Sequence, residues 1–272
     1  EKQQQVSVNS NYYVRRKKRK LVQEEKQIRL HGRVPSLFDL CVRFLVENID
    51  YVESLGLSVD DSIRRAICET LVAKSGASKL NGAILDTITD VGMEVLELID
   101  CTQITHEHMA ELLSQLVPAG LKAILLQHSG RCFGYRAVEA IVKSAPSISL
   151  FAISLGGAYL LKDVDSAKLV QSCSQTLSSI QFSACPLLGN HFCNSIAQHF
   201  SSPSFGTLLE LSLEDIPLSK DNLYTLIGNN NSKQSTDSLR NLKSLSLKQI
   251  EAVDDQILSK LLQATATLGG EH

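Results

Sequence analysis

Seven cysteines and seven histidines are the residues in this chain best suited to metal or redox chemistry. The tightest group that joins the two types is Cys185, His191 and Cys193, and its spacing matches no zinc-ligand pattern. The cysteine count is odd, most of the cysteines lie in apolar segments, and no signal peptide precedes them. We therefore expect reduced thiols inside the cell, and neither a metal nor another cofactor.

Catalytic motifs are absent from the sequence. It contains no Walker A loop, no GxGxxG, no GxSxG and no His-Glu-x-x-His. His106 and His108 flank Glu107, but residues two apart on a helix face different directions. The sequence therefore predicts that the protein is not an enzyme.

Six consecutive cations lie near the amino terminus, at Arg15, Arg16, Lys17, Lys18, Arg19 and Lys20. Residues 1–33 carry ten Lys and Arg against three Glu, whereas the remaining chain carries seventeen Lys and Arg against twenty-six Asp and Glu. A basic run of this kind is typical of a nuclear localisation signal. A phosphate-binding arm and a solvated charge run remain alternatives, and we expect residues 1–33 to be disordered.

A second pattern suits protein binding. Leu37, Cys41 and Leu45 follow one another at intervals of four residues, which places them on one face of a helix. Such a face fits the hydrophobic groove of a partner, where Leu37 would fill the main pocket and Cys41 a tighter one. The alternative is an ordinary amphipathic helix packed on the rest of the chain. Ser36 and Asp39 predict a capping box at its start.

These candidates must be positioned by a repeated unit. Six segments carry apolar residues at positions 1, 4 and 6, a small or apolar residue at 9, and usually another apolar residue at 12. They begin at Met93, Leu121, Leu150, Leu177, Leu208 and Leu242. Helical apolar patterns follow most of these short strand patterns. The sequence therefore predicts an α/β leucine-rich-repeat solenoid over 91–272, with a curved parallel sheet inside and helices outside.

Residues 34–90 lack this repeat and predict short helices, one of which Ser58 and Asp61 would cap. We expect this segment to close the amino-terminal end of the first repeat and to bind a partner protein through its first helix. The chain begins at Glu1 rather than Met and ends directly after an apolar helix. We expect the natural protein to be longer, with further repeats.

Strand positions 3, 5 and 7 point away from the predicted core and form the concave face. Three acids on this face oppose a single lysine, which suits a protein partner better than duplex DNA. The alternative is an unoccupied scaffold face. The candidate residues are Val95, Glu97, Ile99, Leu125, Gln127, Gln181, Glu210 and Glu214.

Two segments resemble a known family. The helical segment from Val34-Pro35-Ser36-Leu37 to Leu55-Gly56, and repeats such as Leu96-Glu97-Leu98-Ile99-Asp100-Cys101, are similar to leucine-rich-repeat DNA-repair proteins of the Rad-seven type. The resemblance spans about 34–266. It implies nucleotide excision repair in the nucleus, a Swi/Snf-type ATPase as partner, and an elongin C–cullin ubiquitin ligase that docks on Leu37, Cys41 and Leu45. It matches no DNA-contacting residue.

The hypothesis from sequence is a non-catalytic scaffold and substrate receptor of a cullin-type ligase in nucleotide excision repair. One rival is an F-box-type receptor that binds a Skp-type adaptor and acts outside DNA repair. A second is a binding module without a ligase role. A third is direct recognition of damaged DNA or chromatin, through the basic run.

Overall fold

The structure is a computed structural model that describes residues 35–76, 79–200, 207–227 and 241–266. The predicted basic arm, residues 1–33 with its cations at 15–20, lies outside the described residues. The chain divides into two compact units, Glu1–Phe44 and Leu45–His272. The domain boundaries expected after residues 33 and 90 stay predictions.

Helices occupy the chain before the repeats. They are α1 (Leu37–Glu47), a 3-10 turn (Ile49–Tyr51), α2 (Asp61–Ser75) and α3 (Gly82–Ile88). The Asp60 carboxylate accepts hydrogen bonds from the amides of Ser62 and Ile63 and so caps α2. The Ser58–Asp61 cap expected from sequence is therefore wrong, because the chain enters its first helical turn after Asp60.

Arg64 of α2 links α2 and the end of α3 to the start of the repeats. Its guanidinium is only 5% exposed and donates to the carbonyls of Val59, Gly56 and Ile88. It also lies 3.0 Å from Asp90 Oδ2, while Asp90 Oδ1 accepts from the Ser54 hydroxyl at 2.7 Å. The buried charge of Arg64 is tolerated because backbone carbonyls and the Asp90 carboxylate surround its planar guanidinium group.

The repeats form one six-stranded parallel sheet in which the strands follow chain order. The strands are β1 (Val95–Leu98), β2 (Ala123–Leu126), β3 (Ala152–Gly156), β4 (Ser179–Ser183), β5 (Glu210–Glu214) and β6 (Ser244–Lys248). Equivalent repeat positions pair across every step, as in Leu96 with Ile124 and Ile124 with Ile153. In β1–β5 the residues at positions 4 and 6 are buried, so these strands turn one face to the core. The predicted solenoid is confirmed.

A helix follows each strand and packs on the helix of the next repeat. The helices are α4 (His106–Leu116), α5 (Tyr135–Lys143), α6 (Asp163–Cys173), α7 (Asn190–His199), α8 (Lys220–Ile227) and α9 (Asp255–Ala266). Position 9, occupied for example by Cys101, Ala158 and Cys185, is buried beneath the turn that joins strand to helix. No helix among the described residues is long and apolar enough to cross a membrane.

The backbone turns sharply at repeat position 8, where five strands end. The residues there adopt the left-handed conformation with φ between 50° and 68°, and they are His128, Gly157, Ala184, Asp215 and Gln249. Glycine adopts this conformation without strain, whereas a β-carbon makes it costly. Only Gly157 of these five lacks a β-carbon.

One repeat caps the helix of the next. The Asp163 carboxylate accepts hydrogen bonds from the amides of Gly189, His191 and Phe192 at 2.8–2.9 Å. These amides begin α7, and the N-cap residue Gly189 has no side chain of its own to accept them. Asp163 therefore couples the third repeat to the fourth at the level of the backbone.

Candidate functional site

Helix α1 starts at a defined capping box. The Ser36 hydroxyl accepts the Asp39 amide at 3.1 Å, and the Asp39 carboxylate accepts the Ser36 amide and hydroxyl at 3.0 and 2.8 Å. These bonds confirm the cap predicted from sequence. The Ser36 hydroxyl is the main cause that lowers the pKa of Asp39.

Four of the exposed apolar side chains on α1 lie together. Leu37, Leu40, Cys41 and Phe44 fall within an arc of about 100°, since an α-helix turns about 100° per residue. Leu37 is 77% exposed and Phe44 is 67% exposed. We call these four residues the α1 stripe. A contiguous apolar surface of this kind marks an interaction site more often than scattered exposed residues do.

The opposite side of α1 is buried. Val42 and Val46 are 4% and 5% exposed, and they lie about half a turn from the α1 stripe. The helix is therefore apolar on two sides, of which only one is covered. The α1 stripe and the buried residues therefore lie on opposite faces of one helix.

The predicted adaptor residues occupy different environments. Leu37 and Cys41 are exposed and belong to the α1 stripe, whereas Leu45 is half-buried. Phe44, which the four-residue spacing passes over, contributes far more exposed surface than Leu45. The sequence does place Phe44 on the same apolar face, because the seven-residue step from Leu37 to Phe44 also repeats on one side of a helix.

The concave-face candidates lie on the open face of the sheet, meaning strand positions 3, 5 and 7. The pairing register aligns Glu97, Leu125 and Gln181 in one row, and places Glu214 beside Lys248 in another. Of the remaining candidates, Val95 and Glu210 belong to a third row, at strand position 3, and Ile99 and Gln127 follow the ends of β1 and β2. Gln127 is exposed and the other candidates are half-buried.

The acids of the open face already have partners. Glu97 lies 3.4 Å from the Arg65 guanidinium, Glu210 accepts from the Ser179 hydroxyl at 2.9 Å, and Glu214 pairs with Lys248. Cations therefore compensate Glu97 and Glu214, whereas the partner of Glu210 is a neutral hydroxyl. The open face offers small polar and apolar side chains rather than an array of cations for phosphate groups.

The thiols divide into one exposed group and six buried groups. Burial raises the pKa of Cys68, Cys173 and Cys193 to about 12 and that of Cys185 to about 11. Such thiols are inert toward oxidants and electrophiles at neutral pH. In the described ranges no three His, Cys, Asp or Glu side chains come together as a metal would require.

Comparison with known proteins finds similarity at the level of structure. No protein-family model and no curated protein matches this chain. A solved structure that it resembles is the crystal structure of the Rad7 and Elc1 complex in yeast, at 15% sequence identity and a TM-score of 0.39. The match covers 86% of this chain and 79% of that chain. A similarity at this level assigns neither an activity nor a partner to the present chain.

Proposed function

We propose that this protein is a non-catalytic receptor that binds the adaptor of a ubiquitin ligase through the α1 stripe. The observation that carries the proposal is the exposure of Leu37, Leu40, Cys41 and Phe44 on one side of a capped helix whose other side is buried. Helices that present apolar residues at three- and four-residue intervals bind hydrophobic grooves.

The side chains of the α1 stripe suit a groove with one deep and one shallow pocket. Leu37 is the most exposed of the four and serves as the anchor. Cys41 follows one turn later, and its small side chain lets the two backbones approach closely. Phe44 extends the contact by a further turn. The resemblance stated above favours an elongin C-type adaptor, and a cullin ligase beyond it.

The repeats supply a second surface, so that one chain can hold the adaptor and a protein partner together. Holding both raises the effective concentration of the partner near the ligase. The same resemblance favours nucleotide excision repair in the nucleus and a Swi/Snf-type ATPase as a partner. Contact with damaged DNA would be indirect, or would use the basic run at residues 15–20.

The test is a calorimetric titration of the full chain with elongin C, and separately with a Skp-type adaptor. Wild type is compared with the double variant Leu37→Ala/Cys41→Phe. Leu57→Ala is the matched control, since Leu57 is 66% exposed and lies outside the α1 stripe. Circular dichroism monitors folding of each variant.

We expect micromolar or tighter binding to elongin C, lost in the double variant and retained in the control. Binding to the Skp-type adaptor alone would overturn the elongin C assignment and support an F-box-type receptor. Binding to neither adaptor by a folded protein would refute the ligase role.

A further inference from the structure

A second exposed apolar surface lies where the strands of the middle repeats lead into their helices. Repeat position 11 is occupied by Arg131, Leu160 and Leu187 in three successive repeats, so these residues follow one another along the sheet edge. Tyr159 lies beside Leu160, and Lys162 precedes α6. We call these five residues the rim patch.

The apolar members of the rim patch are strongly exposed. Tyr159 is 59% exposed, Leu187 is 46% exposed and Leu160 is 44% exposed. In the fifth repeat the equivalent of Leu187 is Leu218, which is only 4% exposed. Position 11 of the first repeat is Gln103, which is exposed but polar, so an exposed leucine at this position occurs in the third and fourth repeats.

Two glycines of the preceding repeat leave room for the side chains of Tyr159 and Leu160. A β-carbon on Gly130 would lie 2.5 Å from the Tyr159 ring, and one on Gly134 would lie 2.9 Å from Leu160 Cβ. Neither glycine has a positive φ, so the backbone does not require them. The glycines instead make room for side chains that remain half in solvent. Rigid, exposed aromatic and aliphatic side chains are typical anchors of binding surfaces.

Leu160 borders a cleft of about 500 Å³ that Gly130, Arg131 and Thr105 also line. The charged side chains in and around this cleft differ in whether a group of opposite charge lies beside them. Glu107, on the cleft wall, pairs with Arg136 at 3.2 Å and with His106 at 3.1 Å. Across the described part of the chain, neither Arg131 nor Lys162 has a carboxylate partner. The rim patch thus combines apolar anchors with two uncompensated cations.

We propose that the rim patch binds an acidic peptide segment of a partner protein, with an apolar side chain seated beside Leu160 and carboxylates on Arg131 and Lys162. The charge complementarity decides the class of partner: an acidic segment satisfies both cations, whereas a basic one meets like charge. This surface belongs to the repeats, so its function is independent of adaptor docking on α1.

The experiment measures fluorescence anisotropy of labelled peptides with the full chain and without any adaptor. The first peptide carries one Phe between Asp and Glu residues. A second replaces the acids by Lys, and a third replaces the Phe by Gly. Arg131→Glu and Tyr159→Ala test the site. Lys143→Glu and Tyr51→Ala are the matched controls, because both side chains are exposed away from the rim patch.

The acidic Phe peptide is expected to bind in the micromolar range, with affinity that falls as salt is added. Each site variant should weaken it about tenfold or more, while the controls keep wild-type affinity. The Lys peptide and the Gly peptide should bind at least about tenfold more weakly. Equal binding of the acidic and basic peptides, binding unaffected by either site variant, or no binding of the acidic peptide would overturn the proposal.

Discussion

The hydrogen bonds that Asp163 accepts from the next repeat give a stability prediction that can be worked from the structure. Asp163→Ala removes the only side-chain acceptor described for three amides at the start of α7. Loss of an N-cap costs about 0.5–2 kcal/mol, and hydrogen bonds to charged groups are worth more than neutral ones. We expect a loss of about 2–3 kcal/mol in the free energy of unfolding. For a domain of this size, about 1 kcal/mol lowers the thermal midpoint by about 2–4 °C.

Two further variants separate the hydrogen bonds from the charge. Asp163→Asn keeps one oxygen acceptor, so we expect roughly half the loss. Asp165→Ala removes a neighbouring acid from the same first turn of α6, where the Asp165 side chain is 15% exposed and its carboxylate lies 3.9 Å from the Lys168 ammonium. This control should cost about 1 kcal/mol or less, because it weakens the interaction with the helix dipole but removes no acceptor of the three α7 amides.

The assay combines calorimetry with amide hydrogen exchange at Gly189, His191 and Phe192. Repeat proteins open locally, so exchange at these amides reports the coupling even where global unfolding is not two-state. The reasoning would be refuted if Asp163→Ala matched Asp165→Ala in both the thermal midpoint and the exchange of the three amides.

Three further predictions follow from features of the helical segment. Arg64→Met should lower the free energy of unfolding by about 3 kcal/mol, because it leaves the Asp90 carboxylate without its cation. Urea denaturation measures this loss, and a value below about 1 kcal/mol would contradict the role of Arg64. Iodoacetamide should label Cys41 alone of the seven thiols in the native protein, and a bound adaptor should slow that reaction. Mass spectrometry identifies the labelled cysteines, and a second labelled cysteine would contradict the burial of the other six. The pKa of Asp39 is lowered by the Ser36 hydroxyl, so the cap is intact above its ordinary value of 3.8 and is lost as the pH falls through the lowered value. An NMR titration of the Ser36 amide should show this transition in wild type but not in Asp39→Asn.

The periodic features of the fold could be predicted because each depends on residues close in sequence. The strands begin where the repeat pattern places them, since alternation at positions 4 and 6 fixes which face is buried. The Ser36–Asp39 box was predictable for the same reason, because it spans a single helical turn.

Features that depend on stacking could not be predicted from sequence. Asp163 reaches amides in the following repeat, and Arg64 reaches a carbonyl at the far end of α3. The partners in each of these contacts are distant in sequence, and no short motif fixes the number of residues between them. The helix face that holds Leu37, Cys41 and Leu45 was predicted, but the sequence did not show that Leu45 would be half-buried while the other two remained exposed, because burial depends on neighbouring elements.

The left-handed residues at the strand ends have a consequence for how this protein tolerates mutation. Asp and His accept this conformation with moderate strain, but Ala184 and Gln249 are poorly suited to it. Gly157, at the equivalent position, shows that glycine fits the turn. A β-carbon built on Gly157 would have its nearest neighbour 3.8 Å away, so the strain at this position comes from the backbone conformation and not from a lack of space. Glycine at Ala184 or Gln249 should therefore stabilise the chain by about 0.5–1 kcal/mol each. A glycine substitution at such a position could compensate for a destabilising change on a binding surface without altering that surface.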